Sequence, residues 1–536
     1  MRSAHVDTFA KDRLPPVEDQ PDFHFDLPEL AYPDQLNAAV ELIDKGDPHA
    51  VAVINDRGSW TYGQIADLSD RIARLLVEEE GLVPGNRVLL RGPNCAMLFA
   101  AWLGVLKAGG ILVTTMPILR AGEIRMLLER ARISHAIVDS RFRDDFDTAA
   151  GSVDHLRSVL RYSGDNGDGE LEKRLLQLRG GFASVATHRD DIAMIAFTSG
   201  TTGNPKGCIQ YHRDVLACAD GFARTILKPR TGDRWACSAP IAFTFGLGQQ
   251  LIFPLRFGGT AVTLERPGAE ALLEAVERFG VTTLATAPTA YKAILGMLGS
   301  RNISSLRTCV SAGEHLPAAT WHAWHQATGL SIVDGIGATE MMHIFVSASG
   351  EEIRPGATGR AVPGYRACIL DENGKPMASG TGRLAVRGPT GCRYFDDDRQ
   401  KQYVQNGWNV TGDTYRKDED GYFWYVARSD DMIISAGYNI AAPEVEGALY
   451  GHEAVAECAV IGAPCEERGQ KVKAFVVLAP GFEPGPELIK TLQSHVKAQI
   501  APYKYPREIE FVAGLPKTAT GKLQRFSLRQ SAEAKD

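Results

Sequence analysis

Six apolar residues, 192–197, run without interruption into Thr198-Ser199-Gly200-Thr201-Thr202-Gly203-Asn204-Pro205-Lys206-Gly207. A short apolar run bounded this way reads as a buried strand, and the ten residues after it restrict the fold around it. Three glycines, four hydroxyl residues and one lysine fall within those ten positions. Glycine lets a backbone turn sharply and approach a ligand closely. Successive backbone N–H groups with hydroxyls form a concave anion site, to which Lys206 adds a charge. An ordinary surface turn needs neither so many hydroxyls nor the lysine. The loop is not a Walker A loop, because it lacks a Gly-Lys-[Ser/Thr] ending. A polyphosphate is the ligand that suits it. In open α/β sheets ligands bind beyond the carboxyl ends of strands, and the loop at Thr198 is expected there.

The surrounding pattern agrees with such a sheet. Strands are expected over 87–90, 111–115 and 135–138, with helices over 97–107 and 123–131 between them. After the loop, 234–239, 260–264, 282–286 and 308–311 read as further strands separated by helical segments. Alternation of this kind implies mostly parallel sheets covered by helices. From 365 to 387 the character changes, and short β-like runs flank Asp371-Glu372-Asn373-Gly374, a hairpin turn signal. A small antiparallel sheet or barrel-like subdomain is expected there, with 422–426 as the last strand of the large domain. Beyond it, helices over 443–450 and 487–500 and strands over 455–461, 472–478 and 509–512 suggest a small α+β domain. Leu488, Leu492, Val496 and Ile500 would give its second helix one apolar face. The polar, glycine-rich segment 164–169 reads as a flexible surface loop.

Composition removes several classes of function. A chain of 536 residues with 44% hydrophobic content can bury a large core and exceeds one ordinary domain. A net charge of −7 gives no basic footprint for nucleic acid. Residues 1–16 are charged and lack the apolar core of a signal peptide. The apolar stretch 95–117 is broken by Lys107, Gly109 and Gly110, so it reads as a core helix and strand, not a membrane span. Nine cysteines without a Cys-x-x-Cys pair suggest reduced thiols in a cytoplasm and no zinc site. His322 and His325 lack the glutamate of a His-Glu-x-x-His site and read as surface residues.

Four further motifs come after the loop in order: Gly335-Ile336-Gly337-Ala338-Thr339-Glu340, Thr411-Gly412-Asp413, Arg428-Ser429-Asp430-Asp431 running to Gly437, and Pro516-Lys517-Thr518-Ala519-Thr520-Gly521-Lys522. With the loop, this series resembles the adenylate-forming family of acyl-CoA ligases, luciferases and peptide-synthetase adenylation domains. The resemblance covers nearly the whole chain. It implies ATP-dependent activation of a carboxylic acid, in which the carboxylate attacks the α-phosphate. Two anions must meet, so charge neutralisation is the main task.

The resemblance implies a role for each matching position. Thr198, Ser199, Gly200, Thr201, Thr202 and Lys206 would hold the β- and γ-phosphates. Thr339 would contact phosphate, and Glu340 would help hold Mg²⁺, a hard ion suited to carboxylate, water and phosphate oxygens. Asp413 would accept both ribose hydroxyls, two acceptor oxygens for two donors, and Arg428 would sit near ribose and phosphates. Gly313 and Glu314 join the nucleotide set. The chain departs from the family in two places: Ala427 replaces the usual glycine before the arginine, and Ile336-Gly337 replaces Tyr-Gly, so adenine would pack on an aliphatic side chain. Lys522, not the nearby Lys517, matches the lysine that bridges the attacking carboxylate and the α-phosphate. The resemblance further implies an ATP- and acid-binding domain over 1–429, a hinge at Asp430 and a mobile domain over 430–536. After acyl-AMP forms, that domain would turn, exchange Lys522 for the face around Gly437, and admit the pantetheine arm of coenzyme A. No cysteine of the chain is needed as nucleophile.

The acid pocket is expected among segments 242–246, 312–314 and 337–344. Ala242, Phe243, Phe245, Ala312, Gly337, Met341, His343 and Ile344 are its candidate residues. Two aromatics with several small residues suit a flat ring better than a long alkyl chain. No aspartate stands near Thr244, where adenylation domains hold an α-amino group. Segments 242–248 and 339–345 are similar to the benzoate-CoA ligase branch. His5-Val6-Asp7-Thr8-Phe9, Pro28-Glu29-Leu30 and Thr114-Thr115-Met116-Pro117 more closely resemble 2-aminobenzoate-CoA ligases. His343 is read either as a hydrogen-bond partner of the acid or as pocket wall. The expected activity is an aryl-acid–CoA ligase using ATP, Mg²⁺ and coenzyme A, with 2-aminobenzoate first and benzoate or a hydroxybenzoate next. The rivals are a medium-chain fatty acyl-CoA ligase and an aryl-AMP ligase that loads a carrier protein. A homodimer is compatible with this reading, and nothing in the sequence sets the oligomeric state.

Overall fold

A computed structural model describes residues 3–198, 205–428, 431–435, 438–465, 469–500, 502–517 and 523–533. The chain divides into two compact units, 1–367 with 386–409, and 368–385 with 410–536. The expected boundary at 429/430 falls within the second.

The first unit holds two sheets. One has six strands in the order Ser158–Tyr162, His135–Asp139, Arg87–Arg91, Ile111–Thr115, Ile192–Thr198, Lys206–Tyr211. All neighbours are parallel except the last pair, which forms an antiparallel hairpin. The other has nine strands, with a parallel centre of Ile332–Gly337, Thr308–Ala312, Thr283–Thr286, Arg234–Cys237, Thr260–Val262 and Val51–Asn55 and antiparallel strands at both edges. The expected alternation is therefore present, and most expected strands match within a residue or two. The return strand Lys206–Tyr211 was not anticipated, because a loop rich in glycine and hydroxyls gives no periodic signal.

Helix Ala96–Lys107 accounts for the long apolar stretch: every one of its residues is buried. A helix apolar on all sides belongs inside a large protein. Lys107 is buried too, but its Nζ donates to Asp44 at 2.7 Å and Asp70 at 2.6 Å, the pairing that an ammonium needs away from water. Gly104 permits helix Tyr62–Arg74 to pack close, since a Cβ there would lie 2.8 Å from the Ser69 carbonyl oxygen. Among the described residues no helix is long and apolar enough to cross a membrane.

In the second unit, Ile369 pairs with Met377 and Leu370 with Pro376 across the expected hairpin turn. Asp371 Oδ1 accepts from the backbone N–H of Asn373 and of Lys375, both at 2.8 Å. Strands Trp408–Lys417 and Phe423–Arg428 run antiparallel beside it. The C-terminal sheet contains Tyr438–Ala441, Met432–Ser435, Gly469–Leu478, Val455–Cys465 and Glu508–Phe511. Helices Ala442–Tyr450 and Pro486–Gln499 cover it, with Leu492 and Val496 fully buried and Leu488 and Ile500 partly so. The large α/β region, the small antiparallel sheet and the α+β C-terminal region follow the expected fold class.

Candidate active site

The central strands of the nine-stranded sheet run parallel, so their carboxyl ends share one edge. Thr286 pairs with Ser311, and Ala312 with Gly335. Segment 242–246 follows the strand Arg234–Cys237, Gly313 and Glu314 follow Ala312, and Thr339 and Glu340 follow Gly337. The three pocket segments therefore emerge together at the edge where ligands bind in such sheets.

The chain doubles back there. Ile344–Ser347 returns antiparallel to Ile332–Gly337, with Gly337 opposite Ile344. A Cβ at Gly337 would stand 2.8 Å from the His343 backbone, and one at Gly335 2.7 Å from the Ile344 side chain. Glycine is required at both by this close return. His343 is buried, with its ring centroid 4.7 Å from Phe253, 5.3 Å from Phe222 and 5.6 Å from Phe245. Burial lowers its pKa to about 3, so the imidazole is neutral. The Phe245 backbone carbonyl faces the ring and partly offsets that shift. Ala242, Phe243 and Phe245 are half-buried, while Ala312 and Ile344 are buried. Glu314 accepts from the Thr289 N–H at 3.4 Å.

Thr198 and Lys206, the described stem of the phosphate loop, face each other in register. Lys206 Nζ donates to Tyr394 Oη at 3.1 Å, and Tyr394 Oη donates to Glu340 Oε1 at 2.5 Å. Burial, and then the charge of Glu340, push the Tyr394 phenol far up, so it keeps its proton. Gln210 Nε2 donates to the Thr339 carbonyl at 3.0 Å and fixes the backbone beside Glu340. Arg130 donates to the Pro205 carbonyl and, at 2.8 Å, to Asp397, anchoring the outgoing stem. Glu340 is thus a single buried carboxylate with one oxygen committed. No group of three or more His, Cys, Asp or Glu forms a metal cage among the described residues. That donor set fits a hard ion held mainly by phosphate and water.

In the second unit, Asp413 and Arg428 are direct cross-strand partners, so residues of two separate motifs meet. Gly412 has φ +79° between Thr411 and Asp413. Lys517 Nζ lies 2.7 Å from Glu457 Oε2, and Lys517 pairs with Leu523 in an isolated bridge. Asp431 accepts from Arg525 at 3.3 Å and from Arg529, while Arg525 grips Glu446 through two bonds of 2.8 Å. Ser199, Gly200, Thr201, Thr202, Asp430, Gly437 and Lys522 lie outside the described residues.

Tyr394, Arg130 and Asp334 went unread in the sequence. Asp334 offered one signal, a carboxylate within a strand that is otherwise apolar or glycine. Burial raises its pKa to about 8, against the opposing pull of hydrogen bonds from the Gly335 backbone and the Ser311 hydroxyl.

Residues 41–394 match the AMP-binding enzyme family, and residues 444–522 match the AMP-binding enzyme C-terminal domain. Benzoate--CoA ligase of Thauera aromatica is 36% identical over 515 residues, covering 94% of this chain and 98% of that one. The crystal structure of the anthranilate CoA ligase AuaEII in complex with anthranoyl-AMP matches with a TM-score of 0.90 and 35% identity, covering 94% of this chain and 99% of that one. A benzoate CoA ligase from Burkholderia xenovorans LB400 matches with a TM-score of 0.83 and 34% identity, covering 92% and 99%. With these likenesses along nearly its whole length, the chain belongs to the AMP-binding enzyme family and is an AMP-forming acyl-CoA ligase.

Proposed function

We propose that this ligase activates a small aromatic carboxylic acid, 2-aminobenzoate first and benzoate or a hydroxybenzoate next, and transfers it to coenzyme A. The observation that carries the aromatic assignment is the wall at the sheet edge. Phe245, half-buried, stands 5.6 Å from the neutral ring of His343, in the segment that also carries Ala242 and Phe243. Flat rings with small residues beside them favour a flat substrate over a long alkyl chain. The likenesses to anthranilate and benzoate ligases support the same class.

In this reading the acid lies against Ala242, Phe243, Phe245, Ala312, Gly337, His343 and Ile344. Loop 198–207 binds the β- and γ-phosphates, Thr339 contacts phosphate, and Gly313, Glu314 and Ile336 border the nucleotide. Asp413 and Arg428, already paired across two strands, take the ribose. Glu340 holds Mg²⁺, which neutralises phosphate charge when bound. The acid's carboxylate attacks the α-phosphate, acyl-AMP forms and pyrophosphate leaves. Lys522 bridges the two anions as charge gathers between them. Residues 430–536 then turn at Asp430 and present Gly437 to the pantetheine arm. The thiolate displaces AMP from the acyl carbonyl. Eight of the nine cysteines are buried, and a reducing cytoplasm, which keeps such thiols reduced, is the proposed site of action.

The test is pyrophosphate release with ATP and Mg²⁺ across benzoate, 2-aminobenzoate, hydroxybenzoates, hexanoate and octanoate. Each acid is assayed alone, with coenzyme A, and with a phosphopantetheinylated carrier protein. A maximum at 2-aminobenzoate with coenzyme A sustaining turnover is expected. A maximum at octanoate overturns the aromatic assignment, and turnover only with the carrier protein overturns the acceptor.

A further inference from the structure

Tyr394 belongs to none of the five motifs, yet it joins two of them. Its side chain is 1% exposed, in a small cluster with Cys208, Cys392 and Val404. Two backbone–backbone bonds and one to a side chain fix its height beside the returning strand of the loop hairpin. Ile209 N donates to Arg393 O and Phe395 N to Gly207 O, each at 2.8 Å, while Tyr394 N donates to Gln400 Oε1 at 2.8 Å. The hydroxyl is therefore held level with Lys206.

The bonds through that hydroxyl have a fixed direction. An ammonium only donates and a carboxylate only accepts, whereas a phenol does one of each. Lys206 donates to Tyr394 at 3.1 Å, and Tyr394 donates to Glu340 at 2.5 Å. Tyr394 thus stands as a spacer between a cation and an anion. Held apart, Lys206 keeps its charge for phosphate, and Glu340 keeps one oxygen uncommitted by this row.

We propose that Tyr394 is a positioning residue of the metal–triphosphate site, turning Glu340 toward the ion and keeping Lys206 at the base of the phosphate loop. This rests on the metal role proposed for Glu340. Without the hydroxyl, Lys206 reaches Glu340 directly and competes with the metal for its charge.

The experiment uses the full chain and Mn²⁺, whose binding is read by electron paramagnetic resonance in the presence of a non-hydrolysable ATP analogue. Tyr394→Phe is expected to weaken Mn²⁺ binding about ten-fold, the scale of one charge-assisted hydrogen bond. The Mg²⁺ concentration for half-maximal pyrophosphate release rises with it. The KM for the acid and the rate of thioester formation from supplied acyl-AMP stay at wild-type values, and that last rate also reports an intact fold. Unchanged Mn²⁺ binding overturns the proposal. So does a parallel impairment in all four measurements, which marks a packing defect. Glu340→Gln separates the two levels. If it weakens Mn²⁺ binding while Tyr394→Phe does not, only the spacer role fails. If it leaves Mn²⁺ binding unchanged, the metal role of Glu340 fails and the spacer role falls with it.

Discussion

Lys517 is bonded to Glu457, with 2.7 Å between Nζ and Oε2, so of the two lysines in the last motif one is already committed to a carboxylate. Replacement of Lys517 by alanine removes a partly exposed ion pair worth under about 1 kcal/mol and is expected to leave acyl-AMP formation close to normal. Lys522→Ala is expected to cut adenylation by roughly two to three orders of magnitude, the scale of losing one electrostatic stabiliser, while transfer from supplied acyl-AMP persists. Single-turnover assays of the two half-reactions check this, and equal loss of both steps in Lys522→Ala would sink the assignment.

His343 packs against three phenylalanine rings, with the Phe245 backbone facing its imidazole. His343→Ala is expected to reorder preference among ring-substituted benzoates, because it removes both a wall and the nearest polar atoms. Comparing kcat/KM for benzoate, 2-aminobenzoate and 4-hydroxybenzoate tests it. A uniform fall with the order preserved would leave His343 as wall alone. Since its pKa is lowered to about 3, no step from this imidazole is expected in the acid's KM between about pH 6 and 8.

Asp334 carries its proton in the folded chain up to about pH 8 but loses it near pH 4 once unfolded. Between those values the folded state binds the extra proton, so its contribution to stability falls as pH rises. The slope is at most about 1.4 kcal/mol per pH unit for one group. Asp334→Asn, with no proton to lose, is expected to gain on the wild type between about pH 5 and 8 in urea unfolding. Parallel profiles for the two proteins would contradict the buried-acid assignment.

Arg130 reaches the carbonyl of Pro205 at the outgoing stem of the phosphate loop. Its carboxylate partner, Asp397, is also held by Arg399, so truncating Arg130 leaves no unpaired carboxylate behind. Arg130→Ala is therefore expected to raise the KM for ATP about ten-fold, for one charged hydrogen bond, with little change in the KM for the acid. A drop in melting temperature with both KM values unchanged would make Arg130 structural only.

The fold was legible where a period was present. Short runs such as 111–115 and 308–311 carry their strand identity locally, and alternation with helices fixes a parallel sheet. Tyr394 was not legible, because its role arises from pairing with Lys206–Tyr211, a strand remote in the chain, and no local spacing encodes that. Asp334 was legible in principle, as a carboxylate where every neighbour is apolar or glycine. Segment 164–169 misled: its glycines and polar residues suggest a flexible loop, yet Asp165 accepts from the N–H groups of Ala96 and Met97 at 3.1 and 3.0 Å. A lone aspartate in a glycine-rich stretch gives no hint that it caps a distant buried helix.

Asp431 and the helix Arg525–Glu533 are tied together through Arg525 and Arg529. The residue just after position 430 is thereby fastened to the helix just after position 522. If the backbone pivots at 430, the two ends travel as one piece, like a crank whose handle is welded to its axle.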